Sequence, residues 1–231
     1  MAAAAHGEEA GTRHQPDGRP ARVHGPAFFD RPVVEVARDL IGCTFLFDGT
    51  GGPLVEVEAY RADDPASHSY RGLTARNAVM FGPPGHLYVY FTMGLHFCVN
   101  LVCQEQGSAS GILLRALEPA HGIEEMIARR GLSDPRRLCS GPAKLTQALG
   151  ITGEHNGLPA WLPPAAVLPR PGTDASDPSS WPLNEPPIAT TPRIGVGSAK
   201  DVPWRFVAAG SAFLSRPLPS ALSRSAEKGR K

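Results

Sequence analysis

Apolar residues first recur at helical spacing in one early stretch. Val33, Val34, Val36, Ala37, Leu40 and Ile41 form a stripe that Gly42 ends. Pro32 suits the first turn of that helix and Asp30 suits its cap. The pattern then changes to short alternating runs. Thr44–Phe47, Leu54–Tyr60, His86–Phe91, His96–Cys103 and Gly111–Leu117 read as strands separated by Gly and Pro signals. Two further helices are predicted over Ile123–Arg130 and Pro142–Leu149, and late strands over Ile194–Val196 and Arg205–Ala208. Between them, Gly153 to Pro192 is crowded with proline and small polar residues, which predicts a long surface excursion around short strands. The order of elements predicts a mixed α/β (α+β) fold: one domain over residues 27–217 with a curved, largely antiparallel sheet flanked by helices. Residues 1–26 lack hydrophobic periodicity and read as a disordered tail, and residues 218–231 as a basic C-terminal tail.

Alternation also sorts the strand side chains by face. In the second strand Val55, Val57 and Ala59 point one way, and Glu56, Glu58 and Tyr60 the other. In the third, Tyr88 and Tyr90 oppose Leu87, Val89 and Phe91. Asn100 shares a face with His96 and Cys98, and Arg115 with Leu113 and Leu117. Each strand thus pairs a core face with one carrying acid, aromatic, amide or guanidinium groups. An antiparallel sheet with one solvated face would look the same. Two details point to a binding site instead. Tyr60, Tyr88 and Tyr90 are three of the four tyrosines in the chain. The stretch after Tyr60, RADDPASHSYRGLTARN, sets His68, Arg71 and Arg76 among small residues.

Composition adds mainly exclusions. A chain of 231 residues with 42% hydrophobic and 19% charged residues is neither disordered nor fibrous, and a net charge of +1 gives no bulk signal for nucleic acid. Cys43, Cys98, Cys103 and Cys139 lack metal-ligand spacing, so reduced thiols and no metal or other cofactor are expected. No apolar run suits a membrane span, and the start of the chain lacks the apolar core of a secretory leader. A monomer is the default expectation.

The motifs on these strands and loops carry a more specific resemblance. VEVEAY at 55–60, ASHS at 66–69, RN at 76–77 and MFGPPGHLYVYFTMGLHFCVN at 80–100 are four of its pieces. GILLRALEP at 111–119, LCSGPAKLTQALGI at 138–151 and PRIGVG at 192–197 complete it. Together, in this order, they closely resemble the alkyladenine (3-methyladenine) DNA glycosylase family. The resemblance implies a DNA repair enzyme that flips a damaged purine out of duplex DNA and hydrolyses its N-glycosidic bond. It implies that Glu58 activates the water and that Arg115 lies beside it. Tyr60, His68 and Tyr90 would enclose the base, with Ala66 and Leu113 on the pocket wall. Asn100 would crowd the 2-amino group of normal guanine. The wedge that fills the vacated stack is a tyrosine in mammalian members; Met93 stands there in this chain. The loop between Tyr60 and His68 is also one residue shorter.

The chemistry agrees with these residue types. A purine alkylated at N3 or N7 is cationic, which suits electron-rich aromatic walls and makes the base a good leaving group. What remains is to orient water at C1′ and offset positive charge on the sugar, which one carboxylate can do. Glu56 is then assigned a supporting structural role. Lys144, at the start of a helix, fits a phosphate contact better than a Schiff-base nucleophile, so release of the base without strand cleavage is expected. Arg71 and Arg76 are further phosphate candidates, with Arg129, Arg130, Arg136 and Arg137 behind them. The partner is damaged double-stranded DNA, and the expected place is the bacterial cytoplasm near the nucleoid, or the nucleus in a eukaryote. A noncatalytic lesion binder and a hydrolase of free nucleosides are the alternatives.

Overall fold

The computed structural model describes residues 23–181 and 184–218. Most of the expected N-terminal tail and nearly all of the basic C-terminal tail lie outside the described residues. Packing starts ahead of position 27. His24 is buried, stacks on Phe28 at 3.8 Å, and donates its backbone N–H to Val167 O at 2.8 Å. A short helix α1 (Pro26–Phe29) carries Phe28 and Phe29 into the core. Asp30 closes this helix through its N–H to Pro26 O and does not cap the next one. It stands too early for that, because a cap residue directly precedes the first helical position. Helix α2 (Val33–Leu40) follows Pro32 without a side-chain cap, and buries Val33, Val36, Ala37 and Leu40 along one stripe.

The strands are β1 (Thr44–Phe47), β2 (Thr50–Tyr60), β3 (Leu87–Thr92), β4 (His96–Cys103), β5 (Ser110–Leu117), β6 (Ala165–Leu168), β7 (Ile188–Thr191) and β8 (Arg205–Ala208). All their pairings are antiparallel, in the order β3-β4-β5-β2-β1-β6 with β8 on β2 and β7 outside β8. This is the expected mixed α+β domain with a curved antiparallel sheet. β2 begins four residues before the expected Leu54. Its first residues pair with β1 across a turn in which Asp48 and Gly49 both have positive φ (45° and 77°). Gly51 and Gly52 read as punctuation, but they serve close packing of backbones. A Cβ on Gly51 would lie 2.0 Å from Phe45 O, and one on Gly52 1.9 Å from Glu118 O.

Ile194–Val196 is a loop rather than a strand. The strand is β7, just upstream within the stretch read as an excursion, and Ile194 turns its N–H to a carboxylate instead of a neighbouring strand. Helices α3 (Ile123–Arg130), α4 (Pro135–Leu138, capped by Asp134) and α5 (Pro142–Leu149) follow β5. α5 packs on β4 and β5, and α2 on β2. Between helices and sheet lie Val57, Ala59, Leu87, Val99, Leu101, Ile112 and Leu114, all fully buried.

The four cysteines are buried and unpaired. Burial pushes the thiols of Cys43 and Cys139 up to about 12 and raises those of Cys98 and Cys103. Among the described residues no helix is long and apolar enough to cross a membrane.

Candidate active site

Strand register assembles the site. Tyr88 opposes Asn100, Asn100 opposes Leu113, Leu113 opposes Glu58, and Glu58 opposes Arg205. One cross-strand row therefore runs over five strands and sets aromatic, amide, carboxylate and guanidinium groups on the face away from the helices. That face is not solvated. It floors a cavity of about 390 Å³ whose lining includes Tyr60, Ala66, His68, Tyr90, Asn100, Leu113 and Arg115, with Met93 at the rim. Eight of the residues named from the sequence thus meet at one cavity. The ninth, Glu58, is fully buried just behind this lining.

Three donors hold Glu58. Tyr60 Oη donates to Oε2 at 2.8 Å, Arg115 Nη1 to Oε2 at 3.2 Å, and the Ile194 N–H to Oε1 at 2.7 Å. Glu56 sits beside it, equally buried, and accepts from Arg115 Nε (2.8 Å), Arg205 Nε (2.9 Å) and both the N–H and Oγ of Ser215 (2.6 and 2.7 Å). Burial acts to raise the Glu56 pKa. The Arg205 hydrogen bond, the charges of Arg115 and Arg205 and the Ser215 hydroxyl outweigh it, so the carboxyl stays below its usual range. Burial likewise acts against charge on Arg115, but Glu58 and Glu56 hold its pKa above the ordinary value. The two acids that pattern could not rank differ in their partners. Glu56 is saturated by two arginines, whereas Glu58 shares one of them and lies against the cavity.

The aromatic wall is equally organised. Tyr88 and Tyr90 stack at 5.4 Å and 28°, and the His68 ring meets Tyr90 edge-on at 4.5 Å. His68 Nδ1 is hydrogen-bonded to Tyr88 Oη at 3.1 Å. Burial and the positive charge of Arg76 lower the His68 pKa, favouring neutral imidazole. Burial, reinforced by the Glu58 charge, raises the Tyr60 pKa, so its hydroxyl remains a donor.

The loop carrying Ala66 and His68 is tied down by groups that motif reading left without a role. Asp64 forms a buried ion pair with Arg193 and accepts the Ala66 N–H at 3.0 Å. Ser69 Oγ donates to Ala109 O at 2.8 Å, and Asn77 Nδ2 to His68 O at 2.8 Å. Arg193 also donates to Ala59 O and lies 4.6 Å from the centre of the Tyr60 ring, which aligns the neighbouring Ile194 N–H with Glu58. A signal for these residues existed in RN at 76–77 and PRIGVG at 192–197. For Asp64, Arg205 and Ser215 no local signal existed.

The outer candidates divide. Arg71 and Lys144 are exposed, Lys144 on α5 beside the cavity-lining Pro142. Arg76 is exposed, donates to Phe91 O, and lies 5.9 Å from the Tyr90 ring centre. Arg129 and Arg130 are engaged within the protein, donating to Ala148 O and Leu138 O, while Arg136 and Arg137 are exposed on α4. At the β3–β4 turn, Met93 adopts φ 54° and is 87% exposed, with Leu95 70% exposed beside it.

Comparison with known proteins agrees with this geometry. The family model for methylpurine-DNA glycosylase matches residues 27–212. A Rhodopseudomonas palustris (strain HaA2) protein named "Putative 3-methyladenine DNA glycosylase" is 58% identical over 190 residues, 82% of this chain and 89% of the relative. Proteins of the same name from Bradyrhizobium diazoefficiens (53% over 203 residues, 87% and 96%) and Rhizobium meliloti (48% over 189 residues, 82% and 94%) match comparably. With its cavity, its motifs and these relatives in agreement, the chain belongs to the methylpurine-DNA glycosylase family.

Proposed function

We propose that the protein is a monofunctional base-excision glycosylase that extrudes alkylated purines from duplex DNA and hydrolyses the N-glycosidic bond, leaving an abasic site. One observation carries the reading: a buried carboxylate, Glu58, is fixed by an arginine and a backbone N–H whose residues line an aromatic cavity, directly behind that lining.

In this reading Met93 enters the minor groove and occupies the space that the flipped nucleotide leaves, as apolar wedges do. The base sits among Tyr60, His68 and Tyr90, against Ala66 and Leu113, where a cationic purine is favoured over a neutral one. Asn100, held by its Nδ2 on Tyr88 O, crowds the 2-amino group of guanine. Water bound at Glu58 attacks C1′. Its proton passes to the carboxylate, the C1′–N bond breaks, and the bonding pair stays on the base and neutralises its charge. Arg115 pairs with Glu58 and keeps it in place. Among the described residues the cavity lining holds no lysine, in keeping with hydrolysis rather than Schiff-base chemistry. Arg71, Arg76 and Lys144 contact phosphates around the site. 3-Methyladenine and 7-methylguanine are the first substrates, with hypoxanthine and ethenoadenine in the range to be tested. The setting is the DNA of a bacterial cytoplasm, and the working unit is a monomer.

A lesion-panel assay with wild type beside Glu58→Gln tests this. Wild type should release base from the cationic lesions. Glu58→Gln should lose roughly 10³-fold or more of the rate while keeping its affinity for damaged duplex. Tight binding without release by wild type would make the protein a noncatalytic lesion binder. Release from free nucleosides without a duplex would make it a nucleoside hydrolase.

A further inference from the structure

The charge cluster behind Glu58 is closed by a segment that the reaction does not use. Arg115 donates from all three of its nitrogens: Nε to Glu56, Nη1 to Glu58 and Nη2 to Ser215 Oγ at 3.3 Å. Ser215 comes after β8, far along the chain, and reaches the cluster with both of its polar groups. Its N–H and hydroxyl each donate to Glu56, so the hydroxyl oxygen is left to accept from Arg115. Arg205 grips the same segment, donating from Nε to Glu56, from Nη1 to Thr191 Oγ1 at 2.9 Å and from Nη2 to Arg216 O at 3.1 Å.

We propose that Ser215 is a positioning residue: residues 215–216 form a clasp that locks the guanidinium of Arg115, so that Nη1 stays on the water-activating Glu58. This rests on the function proposed above. A planar guanidinium has five N–H donors in a fixed fork, and binding two edges leaves it free to tilt about the pair. The third contact, at Ser215, removes that tilt. Ser215 also supplies two of the hydrogen bonds that saturate Glu56. With Glu56 under-bonded, Arg115 is drawn further toward it and away from Glu58. In a site where displacement by an ångström slows reaction up to about a hundredfold, such a shift acts on turnover and leaves the DNA-facing surface unchanged.

The test uses the full chain with Ser215→Ala and Ser215→Thr, in single-turnover excision of 7-methylguanine from duplex. Duplex affinity and Tm are measured beside it. Ser215→Ala should slow excision roughly tenfold while affinity stays within about twofold. Ser215→Thr, which keeps the hydroxyl, should recover most of the rate. A wild-type rate in Ser215→Ala overturns the clasp. So does a loss of rate that tracks a fall in Tm and that threonine does not rescue, because the role is then stability alone. Absence of base release by wild type on any lesion overturns the proposed function itself.

Discussion

Arg115 and Met93 belong to the same cavity and are built on opposite terms. Arg115 is 6% exposed, bonded through every nitrogen, and sits in a lattice with Glu56, Glu58, Arg205 and Ser215. Met93 is 87% exposed, holds a left-handed backbone that costs on the order of 1 kcal/mol in a residue with a Cβ, and has the exposed Leu95 beside it. Under the proposed function, the difference follows from the two tasks. Charges that act on a bond must be fixed before the substrate arrives, because reorganising them during reaction adds to the barrier. A group that enters a base stack needs surface area and adaptability, which a thioether chain supplies.

Three substitutions press on that contrast, the largest effect first. Glu56→Gln leaves buried Arg115 and Arg205 short of a counter-charge and should cost about 3–5 kcal/mol of stability, read as a fall in denaturation midpoint. Leu95→Ser, on the exposed side, should stay within about 0.5 kcal/mol. Comparable losses in the two would break the comparison. Met93→Gly should cut excision from duplex by roughly tenfold and leave excision from a single-stranded lesion nearly unchanged. Its stability should hold or rise slightly, because glycine accepts the positive φ without strain. An equal loss on both substrates would remove the wedge assignment.

The smallest effect is on pH dependence. The His68 pKa lies below its ordinary value through burial and the nearby Arg76 charge, so the imidazole stays neutral to lower pH than it would in an unfolded chain. Protonation sets in as pH falls through the lowered value and places a cation beside a cationic base. Arg76→Ala removes one cause of the depression. The acid-side decline in 7-methylguanine excision should therefore begin at higher pH in Arg76→Ala, with hypoxanthine less affected. Superimposable pH–rate profiles would show that this charge does not reach His68 in the working complex.

Alternation along β2, β3, β4 and β5 was enough to place Glu58, Tyr60, Tyr90, Asn100 and Arg115 on the face that meets the cavity, because side-chain direction in a strand is a local property. Helix α2 was legible for the same reason, from Val33, Val36, Ala37 and Leu40. What was hidden depends on contacts between distant segments. Gly51 and Gly52 resemble breakers until Phe45 and Glu118 approach them. Asp64 gains its buried ion pair from Arg193, and Glu56 its partners from Arg205 and Ser215. Ile194 looked like part of a strand because it and Val196 are β-branched, yet its N–H serves a carboxylate contributed from far upstream. The misreading of Asp30 is of another kind, a local signal assigned to the wrong one of two adjacent helices.

The four cysteines bear on how such a protein endures the conditions that call for it. Reagents that methylate purines also methylate thiols, and they do so through the thiolate. In this chain every thiol is buried and its ionisation is pushed upward, including Cys98, which lines the cavity itself. At neutral pH almost none of these sulfurs carries charge, so the electrophiles that create the substrate meet little nucleophilic sulfur in the protein. The fold thereby gives the protein chemical resistance to the exposure that creates its work.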